Sequence, residues 1–452
     1  LIPSTTNFQS TSEPLIIQVS EAVVATYFKY RFVLVVKDRS GTELARLKTH
    51  MLSSSNQVAV FDVSRVLDDY IGPNLVNGNS TSAAITTLGH TGFTPANIIS
   101  ESYDAQPARK FELELGHENA TSATTAPQES LNEASTTLFA FRDEFINDGE
   151  AYARGDGRFQ PTGATNDFLS TAPNLGVDSA ILAAFGKVRE HNIGISQSYV
   201  MAYGAQGSSA EYVVIRGFQA DGTVIATATL DIDAVGGDTT PTTDAQEVQY
   251  LGCGPVNLKE HAAAASNTNL TTLITDANLA FYELYLSSSA SVSTVFQDTV
   301  VHRFTIDNGC SKYPRVQLMF QNRHSGWDFF NFDQRSEEKL TKIERSQYNR
   351  PRGNWDSVTT SVDWTYNGWE RGVTTTAVKA EKEVRVSTDY IDAGFAQQLR
   401  DIALSRAVFI VDGDNLIPVV VTDSEYLFKT SVNDKLISYS FTLQYSNRPR
   451  TK

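Results

Sequence analysis

The chain has 452 residues, 41% hydrophobic and 20% charged, which excludes disorder and leaves room for roughly three domains of about 150 residues each. Acidic residues (52) outnumber basic ones (37), and the net charge of −15 repels phosphate backbones and anionic lipid, so neither nucleic acid nor membrane is an expected partner. No stretch approaches the roughly 20 apolar residues that cross a bilayer, and the polar start Leu1 to Pro14 has no signal-peptide pattern.

Residues 1–13 are rich in Ser and Thr and read as an arm. Strand signals begin at Leu15-Ile16-Ile17. They continue in Phe28 to Val36, where alternation puts Phe28, Tyr30, Phe32, Leu34 and Val36 on one face. Arg39-Ser40-Gly41-Thr42 is a turn pattern, and Leu44 to Met51 and Val58 to Phe61 are further strands. Asp62 or Ser64 is placed to cap a short helix around 63–71, ended by Gly72-Pro73. Lys110 to Leu115 and Thr137 to Phe141 read as a strand pair across a long loop. Together these predict an N-terminal β domain over 14–150.

Residues 147–175 read as a loop or linker. A central β domain with long loops is expected over 151–310. In it, Tyr212 to Phe218 and Val224 to Ile232 flank an Asp221-Gly222 hairpin turn. Residues 261–278 look helical or irregular, and Leu279 to Leu286 and Val300 to Ile306 are strands.

A C-terminal β domain is expected over 311–452, with Val316 to Phe320 as a strand. Ser387-Thr388-Asp389 precedes a helix over 390–405, in which Ile391, Phe395, Leu399 and Ile402 step by three and four. Val408 to Val411 and Leu416 to Val421 form a hairpin around Asp412-Gly413-Asp414-Asn415, with Pro418 pushing the second strand toward a sheet edge. Leu436 to Tyr445 alternates cleanly. The predicted fold is therefore mainly β, several sandwich- or barrel-like domains with two short helices inserted.

No catalytic, metal or cofactor motif emerges. The seven histidines, His50, His90, His117, His191, His261, His302 and His324, lack metal-ligand spacing and read as packed or surface residues. Nucleophile-elbow and phosphate-loop patterns are absent. Cys253 and Cys310 sit in turn-like contexts and are expected as free thiols. For glycoside hydrolysis, which needs paired acids, the candidates are Asp143, Glu144, Asp148 and Glu150, or Asp328, Asp333 and Glu338; solvated turn acids is the competing reading.

All four tryptophans fall within one stretch. Trp327 with Phe329, Phe330 and Phe332, then Trp355, Trp364 and Trp369, form either an interface or a packed core. Arg323 and Arg335 flank the cluster. The mixed-charge run from Arg335 to Arg350 reads as a solvated connector or as an arm that pairs with a neighbouring subunit.

The stretch Tyr313 to Arg323, then Gly326-Trp327-Asp328 and alternating aromatics, then the charged run, resembles a pattern in tail-associated structural proteins of tailed bacteriophages. Ser325 stands where a glycine is usual. Phe61-Asp62-Val63-Ser64-Arg65-Val66-Leu67, Ser387-Thr388-Asp389-Tyr390 and Ser405 to Ile410 resemble further segments of that family. The resemblance implies a non-enzymatic virion subunit of the tail or neck, assembled in the host cytoplasm. Its expected partners are copies of itself and other virion proteins, at a tail hub, tip or adaptor. Alternatives are a receptor- or host-glycan-binding fibre, spike or head decoration and, further off, a polysaccharide-degrading tail enzyme.

Overall fold

A computed structural model of the protein describes residues 8–11, 14–21, 27–38, 40–52, 57–71, 98–102, 108–141, 167–168, 170–173, 188–205, 211–235, 247–290, 301–307, 312–323, 326–349, 354–356, 363–365, 372–391, 393–413, 415–423, 437–447 and 450–451. The fold is mainly β, with several separate sheets and few short helices.

The first sheet orders Phe8–Ser10, Gln128–Phe141, Ala108–Ala120, Phe28–Asp38 and Glu43–Thr49 side by side. The arm segment Phe8–Ser10 runs parallel to its neighbour at this sheet's edge. Tyr30, Phe32, Leu34 and Val36 point into a core closed by the pair Ile16–Ser20 and Val58–Asp62 and by the helix Ser64–Asp68. Phe28, expected on that face, is 49% exposed. The ladder slips between Phe28 and Arg31, where Lys29 has φ 52°, and the bulge reverses the face that Phe28 occupies.

Asp62 ties the helix to the first strand instead of capping it. Its Oδ1 accepts from Ser64 N at 3.0 Å, Ser64 Oγ at 2.7 Å and Leu15 N at 3.2 Å. Ala108–Ala120 and Gln128–Phe141 extend well past the apolar segments that announced them and meet across residues 121–127, not across a long loop. Cross-strand ion pairs of Lys48 with Glu118 and Glu129 hold the extension.

The central region has two sheets. One orders Val188–Ile193, Val301–Ile306, Phe281–Ser287, Tyr212–Phe218 and Val224–Asp231; the other orders Ile99–Ser102, Glu247–Gly252, Val200–Ala205 and Asp167–Phe168. Ile99–Ser102 lies within the span expected for the N-terminal domain, yet it is hydrogen-bonded into the central sheet. The helix Thr268–Thr275 covers the hairpin of Tyr212–Phe218 and Val224–Asp231, and Pro255–Ala264 packs beside it. Gly217 makes room for the covering helix, because a Cβ there would lie 2.6 Å from Leu273 Cγ. Cys253, at the approach to the first helix, is buried with a free thiol; Cys310 lies outside the described residues.

The last sheet orders Trp327–Phe332, Val316–Gln321, Val408–Asp412, Asn415–Val421, Ser440–Tyr445, Val373–Ser387 and Glu337–Asn349. The helix Ala393–Leu404 packs Ala396, Leu399 and Ile402 on it. Pro418 does not sit at an edge: its strand lies between two others. The ladder to Ser440–Tyr445 begins only at Val419, and the Pro418 carbonyl accepts from Ser446 N at 3.1 Å. The missing N–H therefore falls at a ladder end, where it interrupts no bond.

Candidate functional site

The aromatic hairpin formed by Val316–Gln321 and Trp327–Phe332 is a shared wall between two cores. Met319, Trp327 and Phe329 join the central core, while Leu318, Phe320 and Phe332 join the C-terminal one. Alternation along two paired strands produces this split directly. Trp327 and Phe332 are 0% exposed and Phe329 is 6% exposed, so burial against the central and C-terminal sheets corrects the interface reading for these three. Phe330 is half-buried and meets Phe395 of the helix edge-on at 6.2 Å.

The turn of this hairpin carries a buried polar clasp. Asp328 is wholly buried and accepts from Ser170 Oγ at 2.6 Å, Thr171 N at 2.8 Å, Thr171 Oγ1 at 2.6 Å and Asn322 Nδ2 at 3.0 Å. Asn322 Oδ1 in turn accepts from Gly326 N at 3.0 Å, which closes the turn. Arg323 is buried, not a surface contact; its Nη2 reaches Asp401 Oδ1 at 2.7 Å from the neighbouring helix. Burial pushes the Asp401 carboxyl up, opposed by the Arg323 charge. A buried carboxylate survives only when such donors replace its water. The residues Asn322, Arg323, Gly326, Trp327 and Asp328 thus act as a structural fastener joining residues 170–172, the hairpin and the helix.

A second buried cluster was not legible in the sequence. Val188–Ile193 pairs in parallel with Val301–Ile306 and brings His191 Nε2 within 2.9 Å of His302 Nδ1. Tyr199 Oη lies 2.8 Å from His191 Nδ1. Burial, reinforced by Arg189, lowers His191 to about 3 and carries His302 well below its ordinary value. Burial also raises the Tyr199 hydroxyl far above its ordinary range. The three groups are neutral packing partners, joined across 111 residues of sequence that no local spacing connects.

Beside them a cleft of about 160 Å³ is lined by Glu190, Asp307, Asn331, Asp333 and Tyr390, among others. Arg315 pairs with both Asp307 and Asp333 at its rim. Of the candidate acids, Asp328 is locked in the clasp and Asp333 is engaged by Arg315. Glu338 lies on another strand, bound to Lys382 at 2.9 Å and to the Tyr445 hydroxyl at 3.0 Å. The three occupy separate environments and do not form an acid pair. Asp143, Glu144, Asp148 and Glu150 lie outside the described residues. Among the described residues no group of three or more acidic, His or Cys side chains is arranged to hold a metal.

The strand Glu337–Asn349 is the end strand of its sheet. Twelve of its 13 residues are exposed and the other, Thr341, is half-buried. With Val373–Ser387 it forms a long antiparallel ribbon laced by ion pairs Lys339–Glu383 at 2.9 Å, Lys342–Glu381 at 2.8 Å and Lys382–Glu338 at 2.9 Å. Leu340, Ile343 and Tyr348 are exposed along it. Arg335, just before it, is 70% exposed and lies 3.7 Å from Glu337. Between the ribbon strands, Asn354–Asp356 and Asp363–Thr365 pair so that Trp355 opposes Trp364. Trp369 lies outside the described residues. No protein-family model matches this chain, and no curated protein matches it.

Proposed function

We propose that this chain is a structural subunit of a tailed-phage virion, at the tail hub, tip or adaptor, which assembles with copies of itself and with other virion proteins. The observation that carries the reading is the exposed edge strand Glu337–Asn349, 13 residues long and, among the described residues, with no strand paired along its outer side. Such an edge is a template for another strand, although charges and bulges like those of this strand also serve to protect edges. Its charges of both signs keep it soluble before assembly and offer complementary pairs to a neighbour. Residues that carry part of the family resemblance, Asn322, Arg323 and Gly326 to Asp328, fasten the hairpin at the opposite edge of this sheet.

The test is sedimentation of the purified full chain at micromolar concentration, together with antibody labelling of phage particles in micrographs. An oligomer and label on the tail or neck are expected. Particles that take no label, with a chain that binds no virion protein, would contradict the proposal.

A further inference from the structure

We infer that Glu337–Asn349 pairs antiparallel with the same strand of a second copy of this chain, about a two-fold axis between Thr341 and Lys342. The inference rests on the structural-subunit reading and names the partner of that edge.

The charge sequence is self-complementary about this point. Glu338 falls opposite Arg345 of the second copy, Lys339 opposite Glu344, Leu340 opposite Ile343, and Thr341 opposite Lys342; symmetry repeats each pair. A slip of one residue either way opposes Glu338 to Glu344, or Lys339 to Arg345, and like charges directly across a ladder repel.

The bulge in this strand makes the pairing geometrically consistent. Opposed residues in an antiparallel ladder share a face, and strict alternation would place Glu338 and Arg345 on opposite faces. The ladder to Val373–Ser387, however, shifts between Thr341 and Glu344, where Lys342 has φ 48°. Glu338, Leu340 and Arg345 therefore lie across from Val384, Lys382 and Val378, all on one face. Lys339, Thr341 and Glu344 lie across from Glu383, Glu381 and Lys379 on the other. Each complementary pair then meets on a single face of the joined sheet. Leu340 and Ile343, 55% and 45% exposed, become an apolar contact flanked by two ion pairs.

The experiment uses sedimentation velocity on the full chain, on Glu338→Arg, on Arg345→Glu, and on an equimolar mixture of the two variants. Each variant alone opposes two like charges twice, so its dimer dissociation constant should rise at least about tenfold. In the mixture Glu338 of one chain meets Arg345 of the other and the two introduced residues meet each other, so dimers return. Only folded chains can show that rescue, which separates lost pairing from lost fold. As a second measurement, Leu340→Cys and Ile343→Cys chains should cross-link when mixed and not when oxidised separately. A wild-type chain that stays monomeric, or an oligomer that both charge variants retain, overturns the pairing. Particle labelling decides the subunit reading independently of either result.

Discussion

Arg323 and Asp401 face one another inside the protein, 78 residues apart in sequence, with Nη2 2.7 Å from Oδ1 and the two side chains 3% and 1% exposed. A pair held this way fixes the helix Ala393–Leu404 against the turn of the aromatic hairpin. Removing one partner strands the other charge away from water, at a cost of about 3–5 kcal/mol. Arg323→Met should therefore lower the urea midpoint strongly, while the double replacement Arg323→Met with Asp401→Leu recovers a large part of the loss. Equal destabilisation by the single and double variants would show that the charge pair itself is not what matters.

Trp327 and Arg335 lie eight positions apart and should differ sharply. Trp327 is 0% exposed in the shared wall, and Trp327→Ala should cost about 3–5 kcal/mol. Arg335 is 70% exposed beside Glu337, and Arg335→Ala should change stability by less than about 0.5 kcal/mol. Thermal or denaturant unfolding of the two variants checks both values.

Acid should destabilise the protein through its buried imidazoles. His191 is lowered from 6.5 to about 3 by burial, with Arg189 adding to it, and His302 moves in the same direction. A histidine with a depressed folded value binds its proton in the unfolded chain first. Its contribution is fully present above about pH 6.5 and is lost as pH falls from there toward 3, at about 1.4 kcal/mol per pH unit for His191 alone. The unfolding midpoint should fall between pH 6.5 and 4.5, and His191→Gln should flatten that slope. An unchanged slope in the variant would place the acid sensitivity elsewhere.

Much of the fold is legible in the sequence because its elements are local. The turns at Gly41, Gly222 and Gly413 each take the positive φ that the glycine allows, at 82°, 84° and 59°. The helix Ala393–Leu404 buries Leu399 and Ile402 of the expected stripe, while Ile391 precedes it and bridges to Ile437. Two of the failures are matters of tertiary context. Phe28 turns outward because one bulged residue resets the alternation, and Pro418 is tolerated in an interior strand because its ladder partner begins one residue later. The helix Pro255–Ala264 begins at a proline after Gly254, a start signal that the apolar spacing of its Ala-rich end obscured.

The candidate site was legible in composition but not in role. The aromatic cluster stood out, yet whether Trp327 is core or surface depends on which sheet its strand faces. Asp328 and Arg323 find their partners at 170–171 and at 401, which no spacing predicts. The charged run, by contrast, reads from sequence alone as a solvated connector or a pairing arm, and its exposure on both faces makes it the surface on which the proposed function turns.

The central claim is that the outer edge of Glu337–Asn349 is where copies of this chain join. Hydrogen–deuterium exchange of that strand's amides, followed over a range of protein concentration, tests it most directly. Outward-facing amides between 337 and 349 should gain protection as concentration rises, while those already bonded to Val373–Ser387 change little. Exchange along this strand that is independent of concentration, in a chain that nonetheless oligomerises, would contradict the account.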